Sequence, residues 1–146
     1  MPIKPRPSLF RATASHCFEN DTVEALGDGL APTNSNDQSI PRFTWWDHRG
    51  TKEWVQFDFG ESKRVSYVEV YWFDDTGAGQ CRLPKSWRVL YLEKGHWLQA
   101  SSPVSSEIAR DQWNKMAFQP VNTAALKIEV ELQPNYSGGI LEWRVR

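Results

Sequence analysis

The 146-residue chain has no apolar run near the roughly 18 residues of a membrane-spanning helix. Its start, MPIKPRPSLF, has no apolar stretch of the kind a secretory leader carries. One-sided charge is also missing. Lys and Arg number 17 against 18 Asp and Glu, a formal net charge of -1, and the basic residues are scattered. A nucleic acid or an anionic membrane surface is therefore excluded as a partner, since affinity for either is built on clustered Lys and Arg. Only two cysteines occur, Cys17 and Cys81, and they fit neither a metal-ligand spacing nor a C-x-x-C redox pair. They read as two unpaired, mostly buried thiols, with a bridge between them as the alternative.

Helical periodicity is nearly absent, with short candidates only at Thr22 to Leu26 and Val104 to Arg110. The residues of common catalytic machinery are missing too. His16, His48 and His96 stand isolated along the chain, and no metal-binding His pair, phosphate loop or Ser-His-Asp order is present. A glycosidase needs two carboxyls facing each other across about 5 to 10 Å, whereas Asp74 and Asp75 are adjacent and diverge. The domain is not expected to be an enzyme.

What is present is a period of two. Leu126, Ile128, Val130 and Leu132 alternate with Lys127, Glu129 and Glu131, the pattern of a strand with one buried and one wet face. Leu141, Trp143 and Val145 alternate likewise with Glu142, Arg144 and Arg146. Trp54 to Phe59, Val65 to Phe73, Trp87 to Leu92 and Trp113 to Phe118 are rich in the aromatic and β-branched residues that suit a pleated surface. Gly60, Gly77 to Gly79, Gly95, Pro120, Pro134 and Gly138-Gly139 punctuate these runs. Seven or eight strands without βαβ alternation predict an all-β, antiparallel jelly-roll β-sandwich over residues 12–146. Pro2, Pro5 and Pro7 mark residues 1–11 as a linker, because alternating proline holds a chain extended. A single domain fits the length.

Two connections carry more chemistry than a turn requires. One lies inside YWFDDTGAGQCRLPKSWRVLY, Tyr71 to Tyr91. There Asp74, Asp75 and Arg82 offer planar acceptors and donors suited to adjacent hydroxyls, while Gly77 and Gly79 allow sharp turning or close approach. The other reading of the same residues is an Asp to Arg clamp, with Asp75 capping a turn. Gly27 to Arg42 is too long for an idle connection and is expected to be functional or ordered by a ligand. Of the two tryptophans in Trp45 to Gly50 (WWDHRG), Trp46 is assigned to the core. Asp47 and His48 are then polar contacts or a solvated pair.

ATAS at Ala12 to Ser15, LGDG at Leu26 to Gly29, TWW at Thr44 to Trp46, EWVQFDFG at Glu53 to Gly60, VSYVEVYWF at Val65 to Phe73 and the closing GGILEWRV together resemble the discoidin or coagulation factor 5/8 type C domains. These have a galactose-binding-like fold, and carbohydrate-binding module family 32 is among them. DDTGAGQCRLPKSW, LYLEKGHW and LQPNYSGGILEWRV are further similar to the C-terminal accessory domains of bacterial β-L-arabinofuranosidase-type glycoside hydrolases, family 127 and its relatives. The resemblance spans about Ala12 to Arg146. The chain departs from the family 32 pattern by a longer loop between Gly29 and Thr44, and by Asp47 where a histidine often follows the tryptophan.

The resemblance implies a noncatalytic carbohydrate-binding module of a secreted, periplasmic or cell-surface glycoside hydrolase, taking galactose- or arabinose-containing glycans. It equally allows a structural module that buttresses its parent's catalytic domain. It places sugar contacts at Asp47, His48, Asp74, Asp75, Arg82 and Tyr136, the last as an aromatic platform or a loop residue packed over the sandwich edge. It also implies a structural calcium held by Asp28, Thr44, Glu142 and carbonyls near Ala25 and Leu26, with Thr33 to Asp37 as further oxygen donors. The plainer reading makes Asp28 a turn residue and leaves Glu142 facing water.

Overall fold

The computed structural model describes residues 10–100 and 108–146. Seven strands run through these residues: β1 (Arg11–Ala14), β2 (Phe43–Thr44), β3 (Lys52–Phe73), β4 (Ser86–Glu93), β5 (His96–Gln99), β6 (Asn114–Glu131) and β7 (Gly139–Val145). Their order is β2-β7-β3-β6-β4-β5, with β1 on β3, and every pairing is antiparallel. This is the expected all-β jelly-roll sandwich. A 3-10 helix at Val23–Gly27, capped by the Thr22 side chain on the Glu24 N–H, meets the first helical expectation. The second, Val104 to Arg110, falls largely outside the described residues, as does most of the expected linker.

Four of the expected strands are two. Trp54 to Phe59 and Val65 to Phe73 join as β3, and Trp113 to Phe118 and Ala125 to Leu132 belong to one run through β6. The punctuating Gly60 and Pro120 sit at bends in these long strands rather than between them. Gly60 takes φ +80 within a register shift from Asp58 to Lys63, and Pro120 lies where β6 steps from Val121 to Ala117 against β3. A proline without an N–H is tolerated where the ladder is interrupted. By bending, β3 and β6 each contribute to both layers. Phe57 from the first half of β3 stacks on Trp143 of β7 at 3.8 Å between ring centroids, joining the layers across the main core.

The long segment 28–42 closes a second, smaller core. Leu30 and Ile40 pack with Tyr71, Phe73, Cys81 and Leu141 on the far side of β3 and β7. β7 is thereby buried on both faces, which corrects the expectation of a wet face at Glu142: it is only 3% exposed. Cys17 and Cys81 are both free thiols. Burial, followed by the nearby carboxylates, pushes Cys17 up to about 11 and Cys81 to about 12, so neither is a reactive thiolate.

Candidate functional site

One end of the sandwich gathers the loops 45–51, 74–85 and 132–138. Backbone bonds pin them together. Arg82 N–H donates to the Ser137 carbonyl at 3.0 Å and Ser137 N–H to Gln80 at 3.0 Å, while Gly50 N–H donates to Tyr136 at 3.0 Å and Trp45 N–H to Gly138 at 2.9 Å. The site is therefore built on fixed backbone rather than on free loops.

Asp74 and Asp75 organise the middle loop. The Asp74 carboxylate is buried, accepting from the Thr76 N–H and hydroxyl on one oxygen and from the Leu83 N–H at 3.1 Å on the other, with Arg110 at 3.6 Å. It is Asp74, not Asp75, whose side chain caps the turn. Asp75 accepts the Cys81 N–H at 2.8 Å and faces Arg82 at 3.7 Å, while its carbonyl receives the N–H groups of Ala78 and Gly79. Gly79 leaves room for this packing, since a Cβ there would lie 2.1 Å from the Asp75 carboxylate. The Arg82 guanidinium donates to the carbonyls of Gly79 and Cys81, each at 2.9 Å, and lies over the Tyr136 ring at 4.3 Å.

Beside this loop opens a cleft of about 450 Å³ whose walls include Thr76, Arg82, Arg110, Gln133 and Tyr136. A second, of about 270 Å³, lies on the loop's other side between Phe18, Arg42, Trp46 and Gln80. Trp45 is the fully buried tryptophan, and Trp46 is half-exposed beneath Arg49, 4.5 Å from its ring. Trp46 is thus outside the main core assigned to it and packs, partly buried, against the second one. Arg110 and Gln133 are cleft residues that sequence reasoning did not single out, while Arg42 ends the segment expected to be functional.

Asp47 is exposed, and His48 is half-exposed. His48 Nδ1 donates to Glu53 at 3.0 Å, and its ring stacks on His16 with centroids 3.8 Å apart. His16 in turn donates from Nε2 to the Trp46 carbonyl at 2.8 Å. Two of the three histidines that stand alone in the sequence are thus neighbours in space. Burial raises the Glu53 pKa, but hydrogen bonds from Thr51, Ser15 and His48 outweigh it and hold the carboxyl below its ordinary value. The geometry makes His48 a latch for loop 45–51.

The Asp28 and Glu142 carboxyls are each 3% exposed and lie within hydrogen-bond reach of one another. Gly29 N–H donates to Glu142 at 2.9 Å and Leu30 N–H to Asp28 at 3.0 Å. Burial first, then the Asp28 charge, pushes Glu142 up to about 9. Two buried carboxyls in contact demand either a shared proton or a cation. Among the described residues no three His, Cys, Asp or Glu side chains gather as a metal cluster, so a calcium ion here would complete its shell from carbonyl, hydroxyl and water oxygens. Thr44 directs its hydroxyl to Asp21 and its carbonyl to the Phe18 N–H. Asp37 is saturated by Thr33 and Ser39, which hold its pKa down against burial.

The family model for the F5/8 type C domain matches residues 11–144. The chain belongs to this family. No curated protein sequence matches it. Among solved structures, the F5/8 type C fold seen here is similar to a chain from the β-galactosidase BgaA of Streptococcus pneumoniae, with 22% identity and a TM-score of 0.76 over 99% of this chain and 95% of that one. It is also similar to the family 32 module of NanJ from C. perfringens, solved with galactose (14% identity, TM-score 0.68, 94% and 93% coverage). A third likeness is to chitosan-binding module 1 of a Paenibacillus chitosanase/glucanase (15%, 0.68, 95% and 98%). At these identities the likeness is one of fold. Within the F5/8 type C domain, the loop end described above is what this chain builds on that fold.

Proposed function

We propose that this F5/8 type C domain is a noncatalytic carbohydrate-binding module that tethers a secreted or cell-surface glycoside hydrolase to a complex glycan. The observation that carries the reading is the open cleft in which Tyr136, held by the Arg82 guanidinium, presents an aromatic wall among Thr76, Arg110 and Gln133. Sugar C–H faces pack on aromatic surfaces while a few placed polar groups fix orientation. Similar structures solved with galactose, with GalNAc-β-1,3-galactose and with chitotriose support the ligand class. Galactose- or arabinose-containing glycans are the first candidates, given the resemblance to arabinose-releasing hydrolases. Calcium, held by Asp28 and Glu142, would order the segment that seals the second core.

A glycan array probed with and without calcium tests this. Binding that Tyr136→Ala weakens roughly tenfold is expected; an array silent under both conditions refutes the reading. One observation favours a second reading. Asp74, Asp75 and Arg82 direct their hydrogen bonds into their own loop, as befits a module that buttresses its parent's catalytic domain. Deleting the module separates the two. A tether leaves turnover of a small soluble glycoside intact and lowers activity on polysaccharide, whereas a buttress lowers both.

A further inference from the structure

The outward face of the sheet formed by β3, β6, β4 and β5 carries two tryptophans where polar residues are the rule. Val55 and Phe57 point to the core, so Trp54 and Gln56 point out; Leu126, Ile128 and Val130 likewise leave Lys127 and Glu129 outside. Across the ladder, Trp54 faces Glu129 and then Arg88, and Gln56 faces Lys127 and then Leu90. Trp97 pairs with Leu92 on the edge strand. Lys127 Nζ lies 4.9 Å from the Trp54 ring centroid and 4.4 Å from that of Trp97, so the two indoles stand no farther apart than the sum of those distances. Both rings are half-exposed.

Beside them is a cleft of about 410 Å³ lined by Lys52, Trp54, Ser86, Arg88, Glu129 and Glu131. Arg88 bonds Glu129 at 2.6 Å and Gln99 at 3.3 Å, and Lys85 reaches Glu131 at 3.8 Å.

We propose that this face is a second binding surface, for the backbone of a linear neutral glycan laid across the strands from Trp54 to Trp97. Two rings set on either side of one ammonium match successive sugar rings of an extended chain better than one enclosed monosaccharide. The polar groups between the rings are of both signs and largely paired, so they offer donors and acceptors for hydroxyls without the one-sided field that a polyanion needs. Covering apolar surface on β4 does not account for Trp54. Leu90 is buried on this face although it belongs to neither core, and its partner on the neighbouring strand is Gln99, two residues from Trp97. Trp54 stands two strands away from β4, with its ring on the cleft.

The surface shares its ligand class with the proposed function but none of its residues, so the two separate by mutation. The full chain is run in native gels containing arabinan, galactan, arabinoxylan or mixed-linkage β-glucan, beside Trp54→Ala, Trp97→Ala and Tyr136→Ala. Retardation by at least one polymer that persists in Tyr136→Ala and weakens roughly tenfold in either Trp variant is expected. In the unmutated chain, the indole N–H resonances of Trp54 and Trp97 shift with hexasaccharides of that polymer and stay still with the matching monosaccharide, a readout independent of variant folding. Retardation lost only in Tyr136→Ala leaves the loop end as the site and overturns the sheet face. Unmoved indole resonances, or a Trp97→Ala chain that melts lower yet is retarded as before, overturn it as well. Self-association abolished by Trp97→Ala would assign the face to a second copy of the chain and equally refute the proposal.

Discussion

The guanidinium of Arg82 lies 4.3 Å above the ring of Tyr136 while both of its hydrogen bonds go to carbonyls of its own loop, Gly79 and Cys81. One side chain therefore closes the loop and fixes the cleft wall. Arg82→Lys keeps the charge but loses the planar fork. It is expected to lower stability by about 1–3 kcal/mol, because bonds from a charged donor are replaced imperfectly, and to weaken glycan binding in parallel. Tyr136→Phe retains the ring and is expected to bind as before, while Tyr136→Ala loses roughly tenfold. Calorimetric titration and melting curves on the three variants check this.

Two glycines make opposite demands on their surroundings. A Cβ at Gly139 meets the Phe43 carbonyl oxygen at 2.3 Å, a backbone atom in the ladder between β2 and β7, whereas at Gly79 it meets a movable carboxylate. Gly139→Ala is expected to cost more than the roughly 1–3 kcal/mol of ordinary overpacking, and Gly79→Ala to fall within it. Denaturant midpoints of the two variants give the order.

Calcium at the buried carboxyl pair would stabilise the native state by mass action, about 2.7 kcal/mol at a hundredfold excess over its dissociation constant. Exhaustive chelation is expected to lower the melting temperature. Asp28→Asn and Glu142→Gln should each remove the response. A melting curve unchanged by chelation, with metal analysis confirming removal, counts against a bound ion.

Glu53 sets the acid limit of loop 45–51. Its pKa is lowered from 4.5 in the folded chain, so its contribution is full above that value and is lost as pH falls through the lowered one. The native chain is expected to lose stability on acidification over that window. Glu53→Gln should be less stable at neutral pH and show a shallower acid limb, read from melting temperatures between pH 3 and pH 7.

The alternation from Leu126 to Leu132 reads directly as an inner and an outer face, and the outer face is where the sequence leaves Lys127, Glu129 and Glu131. Breaks are less legible than faces. Gly60 and Pro120 look like strand ends because a sequence cannot distinguish a bend within a ladder from a turn between two. Glu142 misleads for a different reason: alternation reports one neighbouring layer, and segment 28–42 supplies another from far along the chain. His16 and His48, separated by thirty-odd positions, meet only because β1 lies on β3 beside loop 45–51. Asp74 and Asp75 were legible as loop-organising residues, but which of them caps the turn depends on backbone direction alone.

β7 holds a place that bears on how the chain is made. It is the last of the seven strands in chain order, yet it lies between β2 and β3 and brings Trp143 onto Phe57 and Glu142 to Asp28. During translation, the strand β3 leaves the ribosome long before the partner of Val68 to Phe73 exists. Without β7 that edge of β3 has no partner, and an unpaired apolar edge invites wrong pairing. Removing this one strand would take Trp143 from Phe57, Glu142 from Asp28 and a neighbour from both β2 and β3 at once.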